Sequence, residues 1–107
     1  MTKERALQHI YETCGNGWLT LVEILYDNCP DDLTIETVYQ KWAGLRIDTS
    51  KEDTIFDELI DAVYLVSKST CEICGKSAKN ATIKDWERTL CKEHFDSIKT
   101  TNKKWTY

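Results

Sequence analysis

Apolar side chains return every three or four positions in three stretches of this chain, and between them lies a stretch whose period is mixed. In residues 2–14, Ala6, Leu7, Ile10, Tyr11 and Cys14 fall on one helical face, and Gly15-Asn16-Gly17 is a stop. Residues 18–28 repeat the pattern with Trp18, Leu21, Val22, Leu25 and Tyr26, and Pro30 ends it because proline cannot continue a helix. A third helix is expected from Ser50, with Asp53 three positions on as a capping-box-like start. Ile55, Phe56, Leu59, Ile60, Val63, Tyr64 and Val66 follow at helical spacing and carry it almost to Cys71, over about eighteen residues. Such a helix would be a strut between the first part of the chain and the last.

Residues 33–49 fit two periods. Ile35, Val38, Tyr39 and Trp42 make a helical stripe, yet Thr34, Ile35, Thr37, Val38 and Tyr39 are β-preferring types. Leu45-Arg-Ile-Asp-Thr49 alternates like a strand, and Ala43-Gly44 serves either as a helix stop or as a hairpin turn. A two-stranded hairpin over residues 34–49 is the preferred reading, with a helix as the alternative.

The chemistry is concentrated further on. Cys71-Glu-Ile-Cys74-Gly75 is followed, sixteen residues later, by Cys91-Lys-Glu-His94. A Cys-x-x-Cys turn directs two thiolates at one ion, and a glycine after it lets the backbone fold back without a Cβ clash. Cys91 and His94 open a helix expected to reach about Lys99, one turn apart on a shared face. Three thiolates and an imidazole suit one Zn²⁺, and four protein ligands leave no open position, which makes the expected ion structural. Residues 76–82 read as a loop and Thr82–Leu90 as strand, one arm of a hairpin. Knuckle, hairpin and ligand-bearing helix together describe a reduced treble clef, too small to fold without its metal. Trp86 is expected to shield the metal or pack on the strut. His9 reads as a surface histidine, and Cys14 and Cys29 as ordinary semi-buried thiols.

Composition adds limits. The chain has 107 residues, five cysteines and one proline, which suits one small core with a metal-stapled appendage. An odd cysteine count and a polar start, Met1-Thr-Lys-Glu-Arg5, favour a cytoplasmic protein over a disulfide framework, and no apolar run is long enough for a membrane span. Charge is divided. Residues 1–67 hold five Lys/Arg against thirteen Asp/Glu, a net of −8, and residues 68–107 hold nine against five, a net of +4. The fold class expected is α+β. Residues 1–67 form an acidic helical body with the hairpin at 34–49, and residues 68–107 form a zinc-binding module with a basic tail. The tail, Lys103-Lys104-Trp105-Thr-Tyr107, mixes cations with aromatics and offers nucleic acid charge and stacking, but a frayed or folded-back tail is the preferred reading.

Gly17-Trp18-Leu19, Lys41-Trp42-Ala43-Gly44-Leu45-Arg46, Cys71-Glu72-Ile73-Cys74-Gly75, Trp86 and Thr89-Leu90-Cys91-Lys92-Glu93-His94 together resemble a family of small phage and prophage proteins. In that family a "KFGGLRFY"-like segment precedes a "CEVCG…TLCDEH"-like zinc segment. The match spans about residues 17–94. Here Trp42-Ala43 replaces the Phe-Gly pair, and Arg46-Ile47-Asp48 replaces a more aromatic strand. The resemblance implies a phage origin, a metal site and a hairpin at 34–49, and it implies no mechanism. The preferred function is binding of a host or phage protein so as to modulate it, as an inhibitor of a defence or transcription factor would. The alternative is a nucleic-acid-binding regulator working through the basic zinc end. A nuclease is disfavoured, because it needs open metal coordination and a histidine base, and His94 is spent on the metal.

Overall fold

A computed structural model of the chain describes residues 1–106. Helix α1 (Lys3–Thr13) is capped by Thr2, whose side chain accepts from the backbone N–H of Arg5, and α2 (Leu19–Asp27) follows after a short turn. Strands β1 (Ile35–Lys41) and β2 (Gly44–Thr49) form a two-stranded antiparallel sheet, and α3 (Thr54–Ser67) leads out of it. Beyond α3, strands β3 (Lys79–Ile83) and β4 (Trp86–Leu90) precede helix α4 (Lys92–Ser97) and strand β5 (Lys103–Thr106). The second sheet is antiparallel in the order β4-β3-β5. The α+β class is thus present, with two small sheets, and the molecule is elongated, 47 × 24 × 22 Å.

The hairpin at 34–49 also explains why its period is mixed. Its register slips between Ile35 and Thr37, so Ile35 and Val38 both face the core although they are three residues apart. A β-bulge adds one residue to one strand, and that turns a period of two into a local period of three. The turn is not Ala43-Gly44. Lys41 pairs with Gly44, and the central residues Trp42 and Ala43 have φ of 51° and 61°. Gly44 begins β2, where a side chain would strike the Tyr64 ring.

Two further expectations are corrected in α3. It spans 14 residues, and Asp53 itself is the N-cap, accepting from the N–H of Phe56 at 2.8 Å. Ser50 closes the mouth of the hairpin instead, where its Oγ accepts from the N–H of Thr34 at 2.9 Å. Phe56 and Val63 face the core, while Ile55 and Val66 lie outside it, Ile55 being 83% exposed. A wide apolar stripe on a helix against a two-stranded sheet leaves its flanks uncovered.

Buried side chains fall into two clusters. The larger lies among α1, α2, the β1–β2 hairpin and α3, around Ile10, Trp18, Leu25, Val38, Leu45 and Phe56. The smaller is built on Cys71, Ala81, Leu90, Cys91 and Phe95, with Ile83, Ile98 and Trp105 packed against it. Residues 79–82, expected as loop, are four of the five residues of β3, the central strand of the second sheet. Lys, Asn and Ala have little strand preference of their own, and pairing on both sides of β3 is what recruits them. Among the described residues, no helix is long and apolar enough to cross a membrane.

Candidate metal centre

The thiols of Cys71, Cys74 and Cys91 and the imidazole of His94 converge, with their ligand atoms all within 4.8 Å of one another. The Cys74 and Cys91 sulfurs are 3.7 Å apart, and His94 Nδ1 lies 3.7 Å from the Cys71 sulfur and 3.2 Å from that of Cys91. These four residues could hold a metal ion. The first pair sits in a tight turn, where the Gly75 N–H donates to the Cys71 carbonyl at 2.8 Å and Gly75 takes a φ of +84°. That left-handed conformation is what the glycine after the second cysteine supplies. The second pair stands at the start of α4, with Cys91 as its N-cap residue and His94 one turn on.

The thiols are prepared unequally. Burial opposes ionisation of Cys71, but backbone amides of Cys91, Cys74 and Ile73 directed at its sulfur outweigh it and hold the thiol below its ordinary value. An amide-stabilised thiolate is a ready metal ligand, since the thiolate is the form that binds. Cys71 and Cys91 are buried, whereas Cys74 lies at the surface.

Trp105 is the aromatic wall of this module. Its indole N–H donates to the Leu90 carbonyl at 2.8 Å, and its ring stacks on Phe95 with centroids 6.1 Å apart. Lys103 donates to the carbonyls of Phe95 and Ile98 at the end of α4, at 3.0 and 2.9 Å. The tail therefore folds back as β5, with Lys104 exposed on it; Tyr107 lies outside the described residues. Trp86, expected to shield the metal or pack on the strut, is instead 65% exposed. His9 is a surface residue, Cys14 is buried and Cys29 is half-buried.

The sequence reading missed how the cluster is joined to the larger core. The turn between α1 and α2 lies directly on the Cys71–Gly75 turn, where the N–H groups of Asn16 and Gly17 donate to the carbonyls of Ile73 and Glu72 at 3.1 and 2.9 Å. The Trp18 indole donates to the Thr70 carbonyl at 2.8 Å. Glu72, between the first two cysteines, is 1% exposed and ion-paired with Arg88 of β4. Gln40 of β1 donates to the same carboxylate at 3.4 Å and to the Glu87 carbonyl at 2.8 Å. Burial raises the Glu72 carboxyl above its ordinary value, and Arg88 opposes that rise. The Thr89 hydroxyl donates to the Ala43 carbonyl, which ties the β1–β2 turn to β4. A glutamate between two cysteines of a Cys-x-x-Cys turn reads as solvated along the sequence, so only its neighbours reveal this role.

Compared with known proteins, the chain matches no family model, no curated protein and no solved structure.

Proposed function

We propose that this is a zinc-stabilised protein of phage type that works in the host cytoplasm by binding a host or phage protein and modulating it. Four ligands with bonds of about 2.3 Å to sulfur place sulfurs about 3.8 Å apart around a tetrahedral Zn²⁺, and the Cys74–Cys91 separation of 3.7 Å matches that spacing. Four protein ligands fill such a site, so the ion supports the fold and no reaction is assigned to it. The knuckle, hairpin and ligand-bearing helix suit a reduced treble clef.

The observation that carries the interaction reading is a group of exposed aromatic and aliphatic side chains. Trp42, Leu65 and Trp86 are each about two-thirds exposed and line two adjoining clefts that share Trp42. Large apolar side chains gathered on one face mark a contact surface. The nucleic-acid reading has less support, since Lys103 and Trp105 are engaged within the zinc module.

Affinity capture of the tagged protein from bacterial lysate, with and without nuclease, tests this function. A stoichiometric protein that survives nuclease is the expected result. Captured nucleic acid, with proteins lost after nuclease, overturns the reading in favour of the regulator. Elemental analysis tests the metal, with one zinc per chain expected.

A further inference from the structure

Three of the four tryptophans have their partners within the chain. Trp18 is buried with its indole N–H bonded to Thr70, and Trp105 is bonded to Leu90 beneath the ammonium groups of Lys79 and Lys92. Trp42 carries Lys41 over its ring at 5.5 Å. Nearby, Tyr64 carries both Arg46 and Lys68. Trp86 differs. Among the described residues it has neither an indole hydrogen bond nor a cation over its ring, and in the chain it stands between Asp85 and Glu87.

Trp86 and Trp42 face a common cleft of about 340 Å³, lined also by Gln40, Lys41, Asp85 and Glu87. The cleft lies between two hairpin turns, and three of their four central residues, Trp42, Ala43 and Lys84, seldom adopt the left-handed backbone that such a turn requires. Trp42, Ala43, Lys84 and Asp85 all have φ between 49° and 68°, the left-handed region that favours glycine, asparagine and aspartate. Surrounding contacts hold the first turn there, since Ala43 is fully buried and its carbonyl is bonded by Thr89.

The charge of the cleft selects its occupant. Indole faces attract cations, guanidinium most often, and Trp86 has none. Among the residues that line the cleft, Lys41 leaves the two carboxylates, Asp85 and Glu87, in excess by one. Phosphate would be repelled by both carboxylates. We infer that this cleft receives an arginine side chain from a basic segment of the partner protein, its guanidinium lying on Trp86 and bonded by Asp85 and Glu87. The inference rests on the protein-binding reading and adds to it the surface and the partner's chemistry.

The test uses the whole zinc-loaded chain and follows tryptophan fluorescence and calorimetry on titration with a capped Gly-Arg-Gly-Arg-Gly peptide. Comparators are the glutamate peptide of the same length, a proline-rich peptide and oligothymidylate. Saturable binding of the arginine peptide is expected, weakened about tenfold by Trp86→Ala and by Asp85→Asn/Glu87→Gln. The pair Glu58→Gln/Asp61→Asn on α3, which removes the same charge elsewhere, is expected to leave it within about twofold. The conservative carboxylate pair keeps the test valid if Trp86→Ala fails to fold. Absence of saturable binding, equal loss with the α3 pair, or tighter binding of oligothymidylate or the proline-rich peptide overturns the inference. A protein captured from lysate that binds the Trp86→Ala variant undiminished also overturns it, while leaving the protein-binding function standing.

Discussion

A Cβ added to Gly17 would lie 1.7 Å from the carbonyl oxygen of Cys71 and 2.7 Å from the amide nitrogen of Gly75. The turn between the first two helices is therefore in backbone contact with the turn that presents Cys71 and Cys74, two of the four residues that could hold a metal ion, with no space for a side chain. Gly17→Ala is expected to push them apart and to cost about 3 kcal/mol or more, the upper end for overpacked sites. Urea unfolding of the metal-loaded protein, with metal retention against a chelator, measures both effects. Unchanged values would mean that the two turns do not touch in solution.

Metal loading should depend on the four converging residues and on no other cysteine. Cys74→Ser or Cys91→Ser is expected to reduce bound metal well below one ion per chain and to open residues 68–107 to protease. Cys14→Ser and Cys29→Ser should retain the full ion, because neither thiol belongs to the cluster. A Cys74 variant with full metal and full protection would remove that residue from the ligand set.

The Glu72–Arg88 pair joins the metal-binding turn to β4 from a buried position. Arg88→Met leaves a buried carboxylate without its cation, and the loss of one partner from a buried pair costs roughly 3–5 kcal/mol. Combining it with Glu72→Gln removes the stranded charge, and the double variant is expected to regain much of that loss. A double-mutant cycle by chemical denaturation reads the coupling directly. Additive effects would show that the two side chains do not meet.

Burial pushes the Cys14 thiol up to about 11, which the neighbouring Thr13 hydroxyl only partly offsets. At pH 8 the group is then protonated, with about one molecule in a thousand as thiolate. Iodoacetamide applied to the folded, metal-loaded protein is expected to spare Cys14 and to label it only after unfolding. Rapid labelling in the native state, read by peptide mass spectrometry, would place Cys14 at the surface.

Much of this architecture could be read along the chain. The helices over 3–13 and 19–27 follow from apolar spacing with a glycine-rich stop and a proline, signals carried within a few residues. The hairpin at 34–49 was legible only in part. Its bulge spaces Ile35 and Val38 like helix positions, and its turn uses Trp42 and Ala43, residues that no local rule assigns to a left-handed turn. Residues 79–82 looked like loop because their strand conformation comes from β4 and β5 on either side, not from their own preferences.

The four residues that could hold a metal ion were legible in the sequence alone, because each pair is brought to one point by its own short turn, Cys71 with Cys74 and Cys91 with His94. What surrounds the cluster was decided by tertiary structure. Trp18 bonds to Thr70 across 52 residues and Thr89 to Ala43 across 46, and such contacts leave no periodic trace. The same long-range packing made Trp105 the wall of the metal module and left Trp86 exposed, although the two indoles look alike along the chain. Local spacing sets where a side chain can point, and only the folded chain sets what it meets.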